Sequence, residues 1–337
     1  MGVQISNLLP KKELEIEDLS GKTIAVDAFL WLHQFLSIIR QPDGTPLKDS
    51  KGRVTSHLSG IFYRSAKLLE KNIKLVWVFD GKPPSFKDGT TRERRAIKEE
   101  AHKRWKEALE KGDLSEARKA AQMTTTLNDE ILEQSKNLLN FMGIPVIQAP
   151  SEGEAQCAYL CEKNMVYSVA SQDSDSLLFN SPRLIRNLSI TGKRKLPRQD
   201  VFIEVKPEII ELKDILDELK INREQLILIG LLVGTDYNPG IEGYGPKKAL
   251  ALVRKEKTLN NVLKKIEWNT DIPAEDIYEF FLNAPVNKDV KIDFGQVQAD
   301  KLLKMLVDEH EFSKERVEKV IKTLTEAKQT SLGSWLK

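Results

Sequence analysis

Three apolar runs in this chain end on an acid: KTIAVD at Asp27, KLVWVFD at Asp80 and VYSVASQD at Asp173. Each is short and rich in β-branched or aromatic residues, as a strand buried on both faces must be, and helical patterns lie between them. That alternation predicts an α/β fold with a mostly parallel central sheet covered by helices. Further strands are expected at IPVIQA and PRLIRNL. In open sheets of this kind ligands bind beyond the carboxyl ends of the strands, which is where the three acids fall.

The segments APSEGEA, SQDSDS and LLVGTDY extend the set to seven acids: Asp27, Asp80, Glu152, Glu154, Asp173, Asp175 and Asp236. Two carboxylates ~4 Å apart repel by up to ~4 kcal/mol at an effective dielectric of 20, so a cluster of them calls for cations. In an extended segment residues two apart point the same way, which would aim Asp173 and Asp175 at one point, and Gly153 permits a similar arrangement for Glu152 and Glu154. Oxygen donors suit Mg²⁺ or Mn²⁺, whereas 4 histidines and 2 cysteines give zinc little support. Each acid also has a plain reading. Asp173 can cap a helix starting at Ser174, Ser151 and Glu154 fit an S-x-x-E capping box, and Asp236 precedes a turn rich in asparagine, proline and glycine. Caps and turns explain single acids but not their accumulation at strand ends. Divalent-metal catalysis on a phosphodiester explains the set.

The net charge of +2, from 52 basic and 50 acidic residues, conceals an uneven distribution. Between Gly81 and Gln122 basic residues outnumber acidic ones 12 to 8, and LSITGKRKLPRQ carries Lys193, Arg194, Lys195 and Arg198. RERRAIKEEAHKRWKEALEKG has a narrow apolar stripe (Ile97, Ala101, Trp105, Ala108), so a polar helical pair is expected to project from the domain. On such a helix Lys87 and Arg94 lie ~10 Å apart on nearly one face, suited to phosphates, although a solvated face is the usual meaning of a charge run. In DYNPGIEGYGPKKALALV, Gly240, Gly243 and Gly245 precede a helix opened by Pro246, with Lys247 and Lys248 next. Cations there oppose the helix dipole, so a phosphodiester is the expected occupant.

At 40% hydrophobic residues the chain can bury a proper core, and no apolar run approaches the ~18 to 20 residues of a membrane span, so an intracellular protein without a membrane partner is expected. Cys157 and Cys161 read as small core residues. One nuclease-like domain is expected over 1–325, in four parts (1–80, 81–140, 141–235, 236–325), followed by a loose tail at 326–337 where helical periodicity is lost.

Taken together, MGVQIS, IAVDAF, FLSIIRQPDGTPLKDSKGRVTSHLSG, VFDGKPP, MGIPVIQAPSEGEAQ, SQDSDSLLF, LVGTDYNPG and QTSLGSWL resemble the flap structure-specific endonucleases, particularly the archaeal type, essentially end to end. The resemblance implies a PIN-like nuclease domain, a helical arch that a 5′ single strand threads, and a helix–two-turn–helix element that grips duplex DNA around K⁺. It implies that the seven acids hold two Mg²⁺ ions, with Mn²⁺ a substitute, and that Lys87 and Arg94 are the catalytic basic residues of the arch. The carbonyls of Gly240, Ile241 and Tyr244 would hold K⁺, and Arg40, Thr55 and Arg64 fall in segments used around DNA. His33 stands where the family usually has a base-stacking tyrosine. Gln329, Leu332, Trp335 and Leu336 match a sliding-clamp-binding pattern. The implied enzyme is a monomeric 5′ flap endonuclease with 5′–3′ exonuclease activity in replication and repair, cytoplasmic or nucleoid-associated if archaeal. Rival readings are a related exonuclease or junction-resolving nuclease, an aspartyl-phosphate phosphatase suggested by D-S-D-S, and a non-catalytic clamp-tethered DNA scaffold.

Overall fold

The computed structural model describes residues 3–190, 192–195 and 202–333, excepting the side chains of 87–96, 193–195, 202–203 and 327–333. Among the described residues seven strands join one sheet: β1 (Lys12–Glu13), β2 (Thr23–Asp27), β3 (Lys74–Phe79), β4 (Val146–Gln148), β5 (Ser168–Ala170), β6 (Arg183–Arg186) and β9 (Glu208–Glu211), while β7 (Gly192–Lys195) and β8 (Phe202–Val205) pair separately. The order across the large sheet is β1-β9-β6-β5-β2-β3-β4, and the five strands from β6 to β4 run parallel. β9 and β1 close one edge in antiparallel pairing. The expected α/β class and all five expected strands are present, although β5 spans only three residues.

From β2 the chain moves outward to β3 and β4, then crosses back over β2 to reach β5 and β6. Connections therefore leave β2 and β5 in opposite directions, which opens a crevice between their carboxyl ends. The unbroken apolar runs follow from burial of both sheet faces. Ile24, Val26, Leu75, Trp77 and Phe79 enter one core with α1 (Ala28–Ile38), α2 (Ser56–Glu70), α5 (Asp129–Phe141), α13 (Ala299–Leu303) and α14 (Lys314–Gly333). Ala25, Val76 and Val78 enter the other with α6 (Gly153–Glu162), α7 (Asp175–Leu178), α8 (Leu212–Leu219), α9 (Arg223–Val233), α10 (Pro246–Glu256) and α12 (Ala274–Leu282).

The polar helical pair is α3 (Asp88–Glu110) and α4 (Leu114–Gln122). Ala101 and Ala108 are buried, as are Ala117, Ala120 and Ala121 of the neighbouring α4, while Ile97 is 51% exposed. Small residues let the two helices close on each other, and Trp105 Nε1 donates to the Asp43 carbonyl at 3.1 Å. The far half of the pair is thus anchored rather than wholly projecting. A second difference concerns the tail: the backbone of α14 remains helical to Gly333, beyond the point where loss of apolar periodicity suggested a loose segment.

A strap at 283–298 runs from α12 past α6 and α5. Gln156, buried inside α6, holds it with two bonds: its Nε2 donates to the Asn287 carbonyl at 3.0 Å and its Oε1 accepts from the Asn287 amide at 2.7 Å. The Gln298 amide donates to the Phe141 carbonyl at 2.8 Å. Asn287 is exposed, so its freed groups can turn to water, and Gln156→Ala should cost about 2 kcal/mol in urea unfolding. Limited proteolysis of that variant should cut first within 284–292; an unchanged cleavage pattern would mean that the clamp does not hold the strap.

Candidate active site

Strand register builds the site. Pairing of Val26 with Ala170 leaves the next residues, Asp27 at the last position of β2 and Ser171 just past β5, side by side at the carboxyl edge of the sheet. The Ser171 hydroxyl lies 3.3 Å from both Asp27 Oδ2 and Glu154 Oε1, offering one proton to two carboxylates, and it accepts from the Asp173 amide at 3.2 Å. Asp27 is 5% exposed, and its Oδ1 caps α1 by accepting from the Leu30 amide at 3.1 Å. The plain and the functional reading therefore hold together at this residue. Burial, then the charges of Asp80 and Asp173, push its pKa up to about 8.

Asp80 follows β3, and its Oδ1 accepts from the Gly153 amide at 2.8 Å, pinning the start of α6. The chain lies backbone to backbone here: the Gly81 amide donates to the Ser151 carbonyl at 2.6 Å, and a Cβ on Gly81 would meet the Ala149 carbonyl at 2.2 Å. Glycine is required for that approach. Glu152 is the N-cap residue of α6 without a side-chain cap bond, so the capping-box reading of Ser151 and Glu154 fails. Glu154 points instead to Ser171, and desolvation followed by the charges of Asp175, Asp27, Asp173 and Asp236 holds its pKa well above the usual carboxylate range.

Asp173 and Asp175 do not sit in an extended segment as expected. β5 ends at Ala170 and α7 begins at Asp175, with Ser174 as its N-cap and no side-chain cap bond, so the capping reading of Asp173 fails too. A strand-to-helix corner presents the two acids. Asp175 is 3% exposed; its Oδ1 accepts from the Val3 amide at 2.6 Å, and burial together with Asp236 and Asp173 raises its pKa to about 7. Asp236 follows α9 in a turn that other residues secure: Thr235 Oγ1 lies 2.8 Å from Asn238 Oδ1, and Asn238 Nδ2 donates to the Leu231 carbonyl at 2.8 Å. Tyr237, 3% exposed, has its phenol pushed well up by burial and then by Glu152, Asp175, Glu154 and Asp236, which places it among the acids.

All seven acids thus influence one another or a shared neighbour at the edge of the sheet. Among the described residues no three of them close round a single point as a finished metal cage. An all-oxygen, partly hydrated set is what Mg²⁺ and Mn²⁺ accept, since Mg²⁺ keeps several waters and uses one or two carboxylates plus substrate phosphate. Carboxyls lifted towards neutrality lack counter-charge, and divalent ions would supply it. Sequence reasoning missed Ser171, Val3 and Tyr237. The strand register alone could have found Ser171.

At the glycine-rich segment expected to meet duplex DNA, α9 and α10 pack together across two turns. The Tyr244 amide donates to the Ile241 carbonyl at 3.0 Å, closing a turn in which Gly243 has φ +79°, a conformation suited to glycine. Gly240 lies just before this turn, Gly245 is the N-cap residue of α10, Pro246 opens the helix, and Lys247 and Lys248 are exposed in its first turn. His33 lies half-buried on α1, and Arg64 is exposed on α2, lining a cavity of about 230 Å³ with Lys67 and Lys71.

Two of the residues in segments expected around DNA have partners within the protein. Arg40 is half-buried, with Nε donating to the Leu36 carbonyl at 2.7 Å, Nη1 to Gly44 at 2.8 Å and Nη2 to Thr125 Oγ1 at 3.1 Å, so it braces α1 against its neighbours. Thr55 is 6% exposed at the start of α2, its amide bonded to the Leu47 carbonyl, and offers almost no surface. Lys87 ends a 3₁₀ turn (Ser85–Lys87) and Arg94 lies on α3, but both side chains are outside the described residues. Gln329 and Leu332 lie on α14 with side chains outside them, and Trp335 and Leu336 are outside them altogether.

Residues 1–101 match the XPG N-terminal domain and residues 143–236 the XPG I-region. The chain is 54% identical to Flap endonuclease 1 of Pyrococcus abyssi over 99% of this chain and 98% of that protein. The structure of flap endonuclease-1 from Methanococcus jannaschii is similar with a TM-score of 0.78 and 39% identity, covering 98% of this chain and 100% of that one. The junction-resolving enzyme GEN1, solved in complex with product DNA, Mg²⁺ and Mn²⁺, shares the fold at a TM-score of 0.60 and 17% identity, over 94% of this chain and 74% of that one.

The raised acids have a thermodynamic signature. Because the folded pKa of Asp175 lies at about 7, above its ordinary value of 3.8, the metal-free folded protein binds that proton more tightly than the unfolded chain. Its contribution to stability is therefore lost as pH rises through this window. Asn at position 175 stays neutral, so without metal Asp175→Asn should melt above wild type by a margin that grows from pH 4 to about 7 and then levels. Mg²⁺ should raise the wild-type melting temperature more at pH 8 than at pH 5. A margin independent of pH would remove Asp175 from the set of uncompensated charges.

Proposed function

This chain belongs to the flap endonuclease family and is a structure-specific 5′ flap endonuclease of DNA replication and repair, and we propose that it cuts branched DNA at the base of the flap on its seven-acid edge. The observation that carries this reading is that acids from β2, the segments after β3, β4 and β5, and the turn after α9 meet at the crevice between β2 and β5, three of them with raised pKa. The family is divalent-metal dependent. Asp27, Asp80, Glu152, Glu154, Asp173, Asp175 and Asp236 would hold two Mg²⁺ ions, or Mn²⁺ in their place. Bound there, such ions supply an acidified water and neutralise charge on the phosphodiester, leaving a 5′-phosphate and a 3′-hydroxyl.

Lys87 and Arg94 stabilise negative charge on the transferring phosphate from the start of α3. His33, six residues beyond Asp27 on α1, stacks on a base near the cut in place of the family's tyrosine. Duplex DNA is gripped by the exposed first turn of α10, where backbone N–H groups, Lys247 and Lys248 face phosphates while the carbonyls of Gly240, Ile241 and Tyr244 hold K⁺. Gln329, Leu332, Trp335 and Leu336 tether the enzyme to a sliding clamp, and the protein works inside the cell. Family membership leaves no place for the phosphatase reading, whereas a junction-resolving preference is decided by substrate choice.

Given a labelled 5′ flap, a blunt duplex and a four-way junction with Mg²⁺, the enzyme should cut the flap fastest at its base. Asp27→Asn should lose more than ~100-fold in rate, since removing a residue that merely hydrogen-bonds a metal ligand can already cost that much, with DNA affinity retained. Preference for the junction, or wild-type turnover by Asp27→Asn, would overturn the reading. Deleting 329–337 should spare basal cleavage but abolish stimulation by the clamp, and Trp335→Ala should weaken binding of a tail peptide by ~2 kcal/mol in calorimetry. Undetectable binding of the wild-type peptide would remove the clamp from the proposal.

A further inference from the structure

The sequence from Lys87 to Ala96, KDGTTRERRA, contains no large apolar residue, and Ile97 is 51% exposed; the first buried side chain described on α3 is Ala101. Over its first three turns the sequence of α3 therefore offers no large apolar side chain, apart from the exposed Ile97, to seat the helix on the domain. Immediately before it stands Phe86, half-buried in the 3₁₀ turn. Its ring meets Tyr237 at 5.3 Å and Phe280 at 5.4 Å between centroids, both edge-on at 86°. Tyr237 and Phe280 are 5.3 Å apart, and Tyr237 and Phe281 5.5 Å, so Phe86 docks on a continuous aromatic platform. That platform is rigid for a separate reason: the turn bearing Asp236 and Tyr237 is locked by the buried bonds of Thr235 and Asn238.

We infer that Phe86 is a positioning residue whose ring, seated on Tyr237 and Phe280, fixes the root of the arch helix and with it Lys87 against the turn that carries Asp236. The inference rests on the catalytic reading of Lys87. Adjacent Cα atoms are ~3.8 Å apart, so the seating of Phe86 transmits directly to Lys87. Edge-to-face ring pairs have preferred geometry, so an aliphatic replacement keeps the apolar contact while loosening the angle. Acid and cation are thereby referred to one platform, although Lys87 and Asp236 stand 149 positions apart in sequence.

The test is a double-mutant cycle on single-turnover flap cleavage, with DNA affinity measured separately in the absence of divalent metal. Phe86→Ala should slow cleavage by about tenfold with affinity changed less than about twofold, and Phe86→Leu should fall between it and wild type. Combined with Lys87→Ala, Phe86→Ala should add less than about twofold to the loss already caused by Lys87→Ala, because the two act through one group. Multiplicative losses, or a wild-type rate in Phe86→Ala, would overturn the inference while leaving the role of Lys87 intact. A wild-type rate in Lys87→Ala would instead overturn the catalytic reading, and the inference with it. If Phe86→Ala does not fold, the same cycle is read with Phe86→Leu.

Discussion

Everything at the acid edge depends on the parallel pairing of β2 with β5, Val26 opposite Ala170. A shift of one residue would turn every side chain of β5 to the opposite face and carry Ser171 away from Asp27. Both faces of β2 and β5 are buried in apolar cores, so such a shift would also drive Val169 and Ala170 into the wrong layers. The fold is thus the device that tolerates the site. Repulsion among carboxylates works against folding, and burial on both sides of the sheet holds the register in spite of it.

The site is assembled by constraints that differ from acid to acid. Asp27 is held by a helix cap, Asp80 by the amide of Gly153, and Asp175 by the amide of Val3. Glu154 and Asp27 share the hydroxyl of Ser171, which also accepts from the backbone amide of Asp173, and Asp236 rides on a turn that Thr235 and Asn238 fasten. Backbone amides and hydroxyls are partners that fix a carboxylate without neutralising it. Lysines or arginines in the same places would have filled the role left for metal ions.

Much of this was legible in the sequence because burial on both faces writes a strand as an unbroken apolar run, and because an acid at the end of such a run is conspicuous. The local geometry of Asp173 and Asp175 was not. β5 is three residues long, and nothing in SQDSDS marks where strand gives way to helix. Resemblance alone places Arg40 in a segment used around DNA, and its partners inside the protein, the carbonyls of Leu36 and Gly44 and the hydroxyl of Thr125, meet it only after the chain has folded. Val3 contributes a backbone amide, which carries no residue signature at all. Phe86 and Tyr237 each look like an ordinary core residue until their rings are seen in contact.

The bond from the Val3 amide to Asp175 spans 172 positions, and the acid edge is complete only with Asp236. During synthesis at ~5 to 20 residues per second the start of the chain waits on the order of ten seconds or more for its partner. No nascent fragment that ends before Asp236 holds the full set of acids. A chain that stalls or is truncated before Asp236 therefore lacks part of the acid edge, a consequence of chain order that needs no separate inhibitor.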